Sequence, residues 1–146
     1  MHIQKMTIAD YDGIYSLWKS CAGMGLNNLD DTKEGIEKFL KRNPETCFVA
    51  VTDAKIIGAI MTGTDGRRGY IYHAAVHPDY RKQGVGKMLV NTALSAVKNL
   101  GINKVALVVF EKNKEANEFW EKLGFFSRQD IIYRDKPLAE IIRSDT

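Results

Sequence analysis

Between Val76 and Lys87 the chain reads Val-His-Pro-Asp-Tyr-Arg-Lys-Gln-Gly-Val-Gly-Lys, a passage in which an apolar run stops and a helix-like apolar period starts. Glycines let a ligand approach the main chain closely, and the first turn of a helix presents unpaired N–H groups at the positive end of its dipole. Arg81, Lys82 and Lys87 add full positive charge to that arrangement. With Gln83, Gly84, Val85 and Gly86 they form a candidate site for a pyrophosphate; the plain alternative is a turn with helix-start glycines. A Walker A loop is excluded by spacing, because Met88 follows Lys87 where a Ser or Thr is needed. A dinucleotide fingerprint fails as well, since Leu89 stands where its third glycine belongs.

Other side chains invite chemistry with less support. His73 and His77 are four apart, but on a strand that ends at Pro78 their side chains do not converge as a helical pair does, so no metal is expected. Tyr70 and Tyr72 fall on one face of that strand and His73 on the other, by simple alternation. The two cysteines, Cys21 and Cys47, lie in apolar surroundings without C-x-x-C spacing and read as reduced, inert core thiols.

The elements that must position these groups follow from hydrophobic period and turn chemistry. Ile3 and Met6 suggest a short strand; Thr7 then caps a helix whose buried stripe is Ile14, Leu17, Trp18 and Cys21, stopped at Gly23 and Gly25. Asp30, Asp31 and Thr32 offer caps for a second helix with Ile36, Phe39 and Leu40 inward, ended by Asn43-Pro44. Cys47–Val51 and Ile56–Met61 read as antiparallel strands joined by a tight turn, and Tyr70–Val76 as a third long strand. A long helix follows with Val85, Met88, Leu89, Ala93, Ala96, Val97 and Leu100 apolar and Gly101 at its end. Val105–Phe110 is a continuous apolar run, as in a strand buried on both faces, and with the preceding strand and helix makes a crossover unit. Asn113 caps a short helix carrying Ala116, Phe119, Trp120 and Leu123, and the sequence predicts two last strands, from Phe125 to Tyr133 and from Leu138 to Ile142.

Arg81, Gly84 and Gly86 match the Arg/Gln-x-x-Gly-x-Gly/Ala signature of the GNAT N-acetyltransferases, which the sequence resembles. A second segment of that family, Asn-x-x-Ala-x-x-Phe-Tyr-x-x-x-Gly-Phe, is similar to Asn113, Ala116, Phe119, Trp120, Gly124 and Phe125, with Trp120 in place of the tyrosine. The resemblance, to the small single-domain bacterial type, covers residues 1–142 as one domain and leaves 143–146 as a short tail. It implies an α/β (α+β) fold, with a mixed, mostly antiparallel sheet splayed at a cofactor cleft and flanked by about four helices. It also implies acetyl-CoA as co-substrate. Main-chain groups near Ala75 and Val76 would hold the pantetheine arm, Lys82 to Gly86 the pyrophosphate, and Asn113, Ala116, Phe119 and Trp120 the far side, with a Val76 N–H polarising the thioester carbonyl.

The tyrosine replaced by Trp120 resembles a general acid for the departing CoA thiolate, a task indole cannot perform. The loss is tolerable because an alkyl thiol has a reference pKa of about 8.5. Tyr72 and Tyr133 are candidate substitutes, with Tyr70 left open beside them, against the alternative that these tyrosines cover apolar surface with a hydroxyl at the rim. An ammonium acceptor must lose a proton before attack, and with no carboxylate on the strand the route is water relayed to solvent or to a tyrosine. The Met24–Asn28 segment is a candidate acceptor wall or an ordinary connection.

Composition bounds the remaining classes. The 146 residues carry a net charge of +3, which speaks against a chain built to grip nucleic acid. No apolar stretch reaches membrane-spanning length, so a cytoplasmic protein without membrane or nucleic-acid partners is expected. The resulting expectation is an acetyl-CoA-dependent transferase acting on a small-molecule or protein amine by direct attack in a ternary complex, as monomer or homodimer. A CoA-binding module without turnover is the alternative.

Overall fold

The computed structural model describes residues 1–144. A five-stranded sheet runs in the order β1 (His2–Lys5), β2 (Cys47–Thr52), β3 (Lys55–Thr64), β4 (Gly69–Val76), β5 (Val105–Ala106), antiparallel except for the last, parallel pair. Helices α1 (Tyr11–Lys19) and α2 (Lys33–Arg42) cover one face, and α3 (Val85–Asn99) and α4 (Lys114–Lys122) the other. This is the mixed, mostly antiparallel architecture expected from the sequence, and no described helix is long and apolar enough to cross a membrane.

Period two divides the central strands between two cores. On β2, Cys47 and Val49 pack under α1 and α2 while Phe48 and Ala50 pack under α3 and α4, so the run must be apolar throughout. The β2–β3 hairpin turns through Asp53 and Ala54, both with positive φ (48° and 61°), as a two-residue hairpin requires. Thr7 precedes a 3-10 turn that leads into α1, and Asp10 reaches back to its N–H at 2.9 Å. The Thr32 hydroxyl caps α2 by accepting from Gly35 N–H at 3.0 Å.

The structure corrects several expectations. Helix α1 closes at Lys19, where the Ser20 N–H and hydroxyl both bond to the Leu17 carbonyl; Cys21 therefore lies past the helix, half-buried at the edge of the core that Ile14, Leu17 and Trp18 build. Met88 and Leu100 are exposed on the outer side of α3, whose buried stripe is Val85, Leu89, Val90, Ala93 and Val97. The Val105–Phe110 run pairs with β4 through only two residues and is covered on one face: Leu107 and Val109 pack inward while Val108 and Phe110 are exposed. No strand forms over residues 125–142, and Leu138 is 94% exposed. Ile131, Ile132 and Tyr133 have strand-forming side chains, but that preference is realised only against a paired neighbour, and none is provided. Of the expected tail, Arg143 bridges to Asn27 and Ser144 N–H bonds to the Leu26 carbonyl at 2.9 Å, while 145–146 lie outside the described residues.

The entry to α2 rests on a close backbone approach. A Cβ on Gly35 would stand 2.4 Å from the Asp30 carbonyl oxygen and 2.5 Å from that of Leu29, so the helix and the preceding loop cannot both keep their places. Gly35→Ala is expected to destabilise the fold by about 1–3 kcal/mol. Thermal unfolding would show this as a loss of roughly 2–4 °C per kcal/mol, and an unchanged midpoint would disprove the close approach.

Candidate functional site

The β4–β5 ladder consists of Gly69↔Val105 and Tyr70↔Ala106, and beyond it the two segments part. From Ile71 to Val76 strand β4 keeps its bonds to β3 on one edge and leaves the other open. The bond from His77 N–H to the Ile57 carbonyl, 2.8 Å, sets which residues face the gap. Bonded and non-bonded pairs alternate along an antiparallel ladder, so Ala75 turns its main-chain groups to β3 while Ala74 and Val76 turn theirs to the open side. Of the two expected contacts, Val76 offers its N–H to the gap and Ala75 does not.

The loop after β4 brings the start of α3 to the mouth of this opening. A 3-10 turn, Pro78–Tyr80, is capped by His77, whose Nδ1 accepts from Asp79 N–H at 3.1 Å. Lys82 and Gly84 take positive φ (62° and 82°), and Gly84 begins α3 with no side-chain cap. The first-turn amides of an uncapped helix have no intrahelical acceptor, and here these are Gly84, Val85, Gly86 and Lys87. Lys82, Gln83, Gly84 and Lys87 are exposed around them. A Cβ on Gly86 would lie 3.1 Å from Phe119 Cζ, so α4 packs directly on the first turn of α3. The stretch thus fits a pyrophosphate: free amides, a close main chain and flanking cations.

Arg81 is placed differently from the expectation of a phosphate cation. Its Nε donates to the Val76 carbonyl at 3.1 Å and its Nη2 lies 3.6 Å from Cys21 Sγ, tying the loop back to the end of β4 and to the chain after α1. Cys21 Sγ also donates to the Val76 carbonyl, at 3.6 Å. Asn113 caps α4 through Oδ1, which accepts from Ala116 N–H at 3.2 Å. Trp120 is buried, edge-on to Phe119 and Phe125 at centroid distances of 5.0 and 5.1 Å, and supports Phe119 from the core.

On β4 the pairing Met61↔His73 and Thr62↔Ile71 leaves Tyr72 as the extra residue of a bulge. Alternation resets there, so His73 follows Tyr72 onto the α1–α2 face, against the expectation of opposite faces. Tyr72, 58% exposed, lies tilted against Tyr70 at 4.6 Å and meets Phe39 edge-on at 5.4 Å. Burial first, and then the nearby Tyr133, push the pKa of Tyr70 and of Tyr72 above the usual tyrosine value; Asp30 and Asp65 add to the effect at Tyr72. Both are therefore phenols at neutral pH, able to donate a hydrogen bond and unsuited to act as bases. Tyr133, 65% exposed on the C-terminal segment, joins this group. Asp31 accepts from His73 Nε2 at 2.7 Å, a contact hidden from sequence by the bulge. Among the described residues no three His, Cys, Asp or Glu side chains gather to hold a metal.

The model of the acetyltransferase (GNAT) family matches residues 11–125, and the chain belongs to that family. An acetyltransferase of Sodalis glossinidius is 30% identical over 140 residues, covering 96% of this chain and 97% of its own. The PaiA N-acetyltransferase of Thermoplasma acidophilum in complex with coenzyme A superposes with TM-score 0.75 at 21% identity, over 87% of this chain and 90% of its own. AAC(6')-Iy in complex with a CoA-linked acetylneamine bisubstrate analogue superposes with TM-score 0.74 at 20% identity, over 93% and 97%. The protein is accordingly an acetyltransferase of GNAT type.

The two thiols differ in reactivity as a result of their surroundings. Burial pushes the Cys47 thiol from 9.0 up to about 12, while Cys21 is half-buried at the loop. Dithionitrobenzoate at pH 8 is expected to modify Cys21 alone in the folded chain, and Cys47 only on unfolding. Because the unfolded Cys47 thiol ionises near 9.0 and the folded one near about 12, its contribution to stability is complete below pH 9 and is lost as pH rises through that interval. Equal labelling of both thiols in the folded chain would contradict this.

Proposed function

We propose that the protein transfers an acetyl group from acetyl-CoA to a primary amine by direct attack in a ternary complex. The observation that carries this is the parting of β4 and β5 after two residue pairs, directly beside the uncapped first turn of α3. In this reading the amides from Gln83 to Lys87, with Lys82 and Lys87 as counter-charges, hold the pyrophosphate. Val76 N–H, on the open edge of β4, donates to the thioester carbonyl, where such a donor stabilises developing negative charge. Arg81 positions that strand end by binding the Val76 carbonyl. Asn113, Ala116 and Phe119 flank the cofactor on the α4 side, and Trp120 holds Phe119 in place. Acetyl-CoA supplies the activated acyl carbon and a thiolate that leaves near neutral pH without an obligatory acid.

The acceptor approaches from the face of β4 that carries Tyr72, with Tyr133 alongside. As a phenol Tyr72 donates a hydrogen bond, so the amine proton passes to water. The acceptor is an amine of a small molecule or of a protein; the bisubstrate complex of AAC(6')-Iy is one such case in the same fold. Trp120, buried where a tyrosine is usual, favours the second reading, a CoA-binding module without turnover.

Thermal unfolding with acetyl-CoA, CoA and ATP tests the cofactor, and acetyl-CoA-dependent thiol release over an amine panel tests turnover. Ligand at about 1,000 times its dissociation constant adds about 4.1 kcal/mol, which at roughly 2–4 °C per kcal/mol is a rise of order ten degrees. That rise is expected with acetyl-CoA and CoA and not with ATP, and Gly86→Val, which drives a side chain into Phe119, is expected to remove most of it. Absence of any shift in the natural chain would overturn the proposal, whereas a shift without thiol release from any amine would select the second reading.

A further inference from the structure

Strand β4 and the loop before α2 are joined by a buried pair that neither the cofactor site nor the core requires. His73 Nε2 donates to Asp31 Oδ1 at 2.7 Å, with the side chains 12% and 5% exposed. The second carboxylate oxygen of Asp31 accepts from Asn27 N–H at 2.8 Å, and its main-chain carbonyl accepts from the Tyr11 hydroxyl at 2.7 Å. Asn27 Oδ1 in turn holds Leu29 N–H and Asp30 N–H, at 2.9 and 2.7 Å. Residues 27–31 are therefore one hydrogen-bonded unit with Asp31 at its hub, and His73 ties that hub to the sheet.

The imidazole is costly where it stands. Its Nδ1 is buried and has no hydrogen-bond partner among the described residues, while the ring lies edge-on to Trp18 at 4.9 Å. A phenyl ring would fill the same space beside Trp18 without stranding a polar atom. Packing therefore does not account for histidine here; the bond to Asp31 does. Its location is informative, because His73 directly follows the bulge residue Tyr72, on the same face, and the loop it fixes includes Asp30, whose charge is felt at the Tyr72 hydroxyl.

We propose that His73 and Asp31 are positioning residues for the amine acceptor, holding the 27–31 loop against the Tyr72 face of β4 as one wall of the acceptor site. The proposal rests on the transferase reading, and it adds which residues shape the acceptor side. Neither residue touches the reacting atoms; both act through the loop. Loss of the tie loosens the wall, which weakens acceptor binding and leaves the cofactor side, across the strand, as it was.

The test compares His73→Phe, which keeps the ring and removes the donor, with His73→Gln, whose amide can donate to Asp31. With the best-used member of a panel of spermidine, a lysine ester and an aminoglycoside as probe, His73→Phe is expected to raise KM for the amine about tenfold, with kcat and the KM for acetyl-CoA within about twofold. Hydrogen exchange of the Asn27, Leu29 and Asp30 amides is expected to quicken about tenfold, the factor equivalent to roughly 1.4 kcal/mol, while Val49 and Ala59 keep their protection. His73→Gln is expected to recover most of both. Asp31→Ala, which removes the acceptor of both His73 Nε2–H and Asn27 N–H, is expected to reproduce the phenylalanine result and decides the matter if that variant folds poorly. Unchanged exchange in the loop, or a parallel loss of amine and acetyl-CoA affinity that glutamine does not recover, would overturn the proposal. Exchange is read without cofactor or turnover, so failure of this inference is separable from failure of the transferase reading.

Discussion

Two residue pairs between β4 and β5 are the constraint on which the rest of the site depends. A longer parallel ladder would bring the Leu107–Phe110 segment against Ile71–Val76, and the open edge of β4 would be consumed by hydrogen bonds. Parting the strands leaves peptide groups of β4 unpaired along an edge, a cost that a polar ligand can offset and an apolar core cannot. The helices keep the gap from closing. Leu89 and Val85 of α3 lie against Gly58 of β3, where a Cβ would stand 2.8 Å from Leu89 Cδ1, and Phe119 of α4 lies against Gly86. Helix α3 is thus seated deep on the sheet with its first turn at the mouth of the gap, and α4 is braced upon it.

The end of β4 is held from both sides. Ile57 accepts from His77 on the β3 side, and the Val76 carbonyl accepts from Arg81 and Cys21. Arginine at the head of the glycine loop therefore works first as a structural tie, and the loop's exposed cations are Lys82 and Lys87. The bulge at Tyr72 does complementary work further down the strand. It places Tyr72 and His73 together on the face beneath α1 and α2, so that one strand carries main-chain donors toward the gap and side chains toward the opposite helices. Cofactor and acceptor can then approach a single strand from different directions, as the proposed attack within a ternary complex demands.

Much of this was legible in the sequence where local chemistry decides. Caps at Thr32 and Asn113, the helix-ending Gly101 and Gly124, the Asp53-Ala54 hairpin and the strand–loop–helix passage around Gly84 all depend on residues within a few positions of one another. The two family segments lie in such passages, which is why the glycine loop and the cap of α4 were readable. Where neighbours distant in sequence decide, the reading failed. The Val105–Phe110 run is as apolar as a fully buried strand, yet one face is uncovered because its partner strand departs after Tyr70. Ile131, Ile132 and Tyr133 favour extended chain, but a strand exists only where a second strand lies alongside.

The acceptor side shows the division most clearly. Sequence by itself determined the element order as far as α4, the α/β class and the glycine loop at a helix start, because each is encoded in periodicity and in the backbone preferences of single residues. Tertiary structure alone decided that Arg81 folds back onto the Val76 carbonyl, that Trp120 is a core residue behind Phe119, and that His73 meets Asp31 across 42 positions of chain. The physical reason is the bulge: one extra residue on β4 reverses the side on which every later side chain falls, and that residue is extra only relative to β3, a relation that no window of the β4 sequence contains.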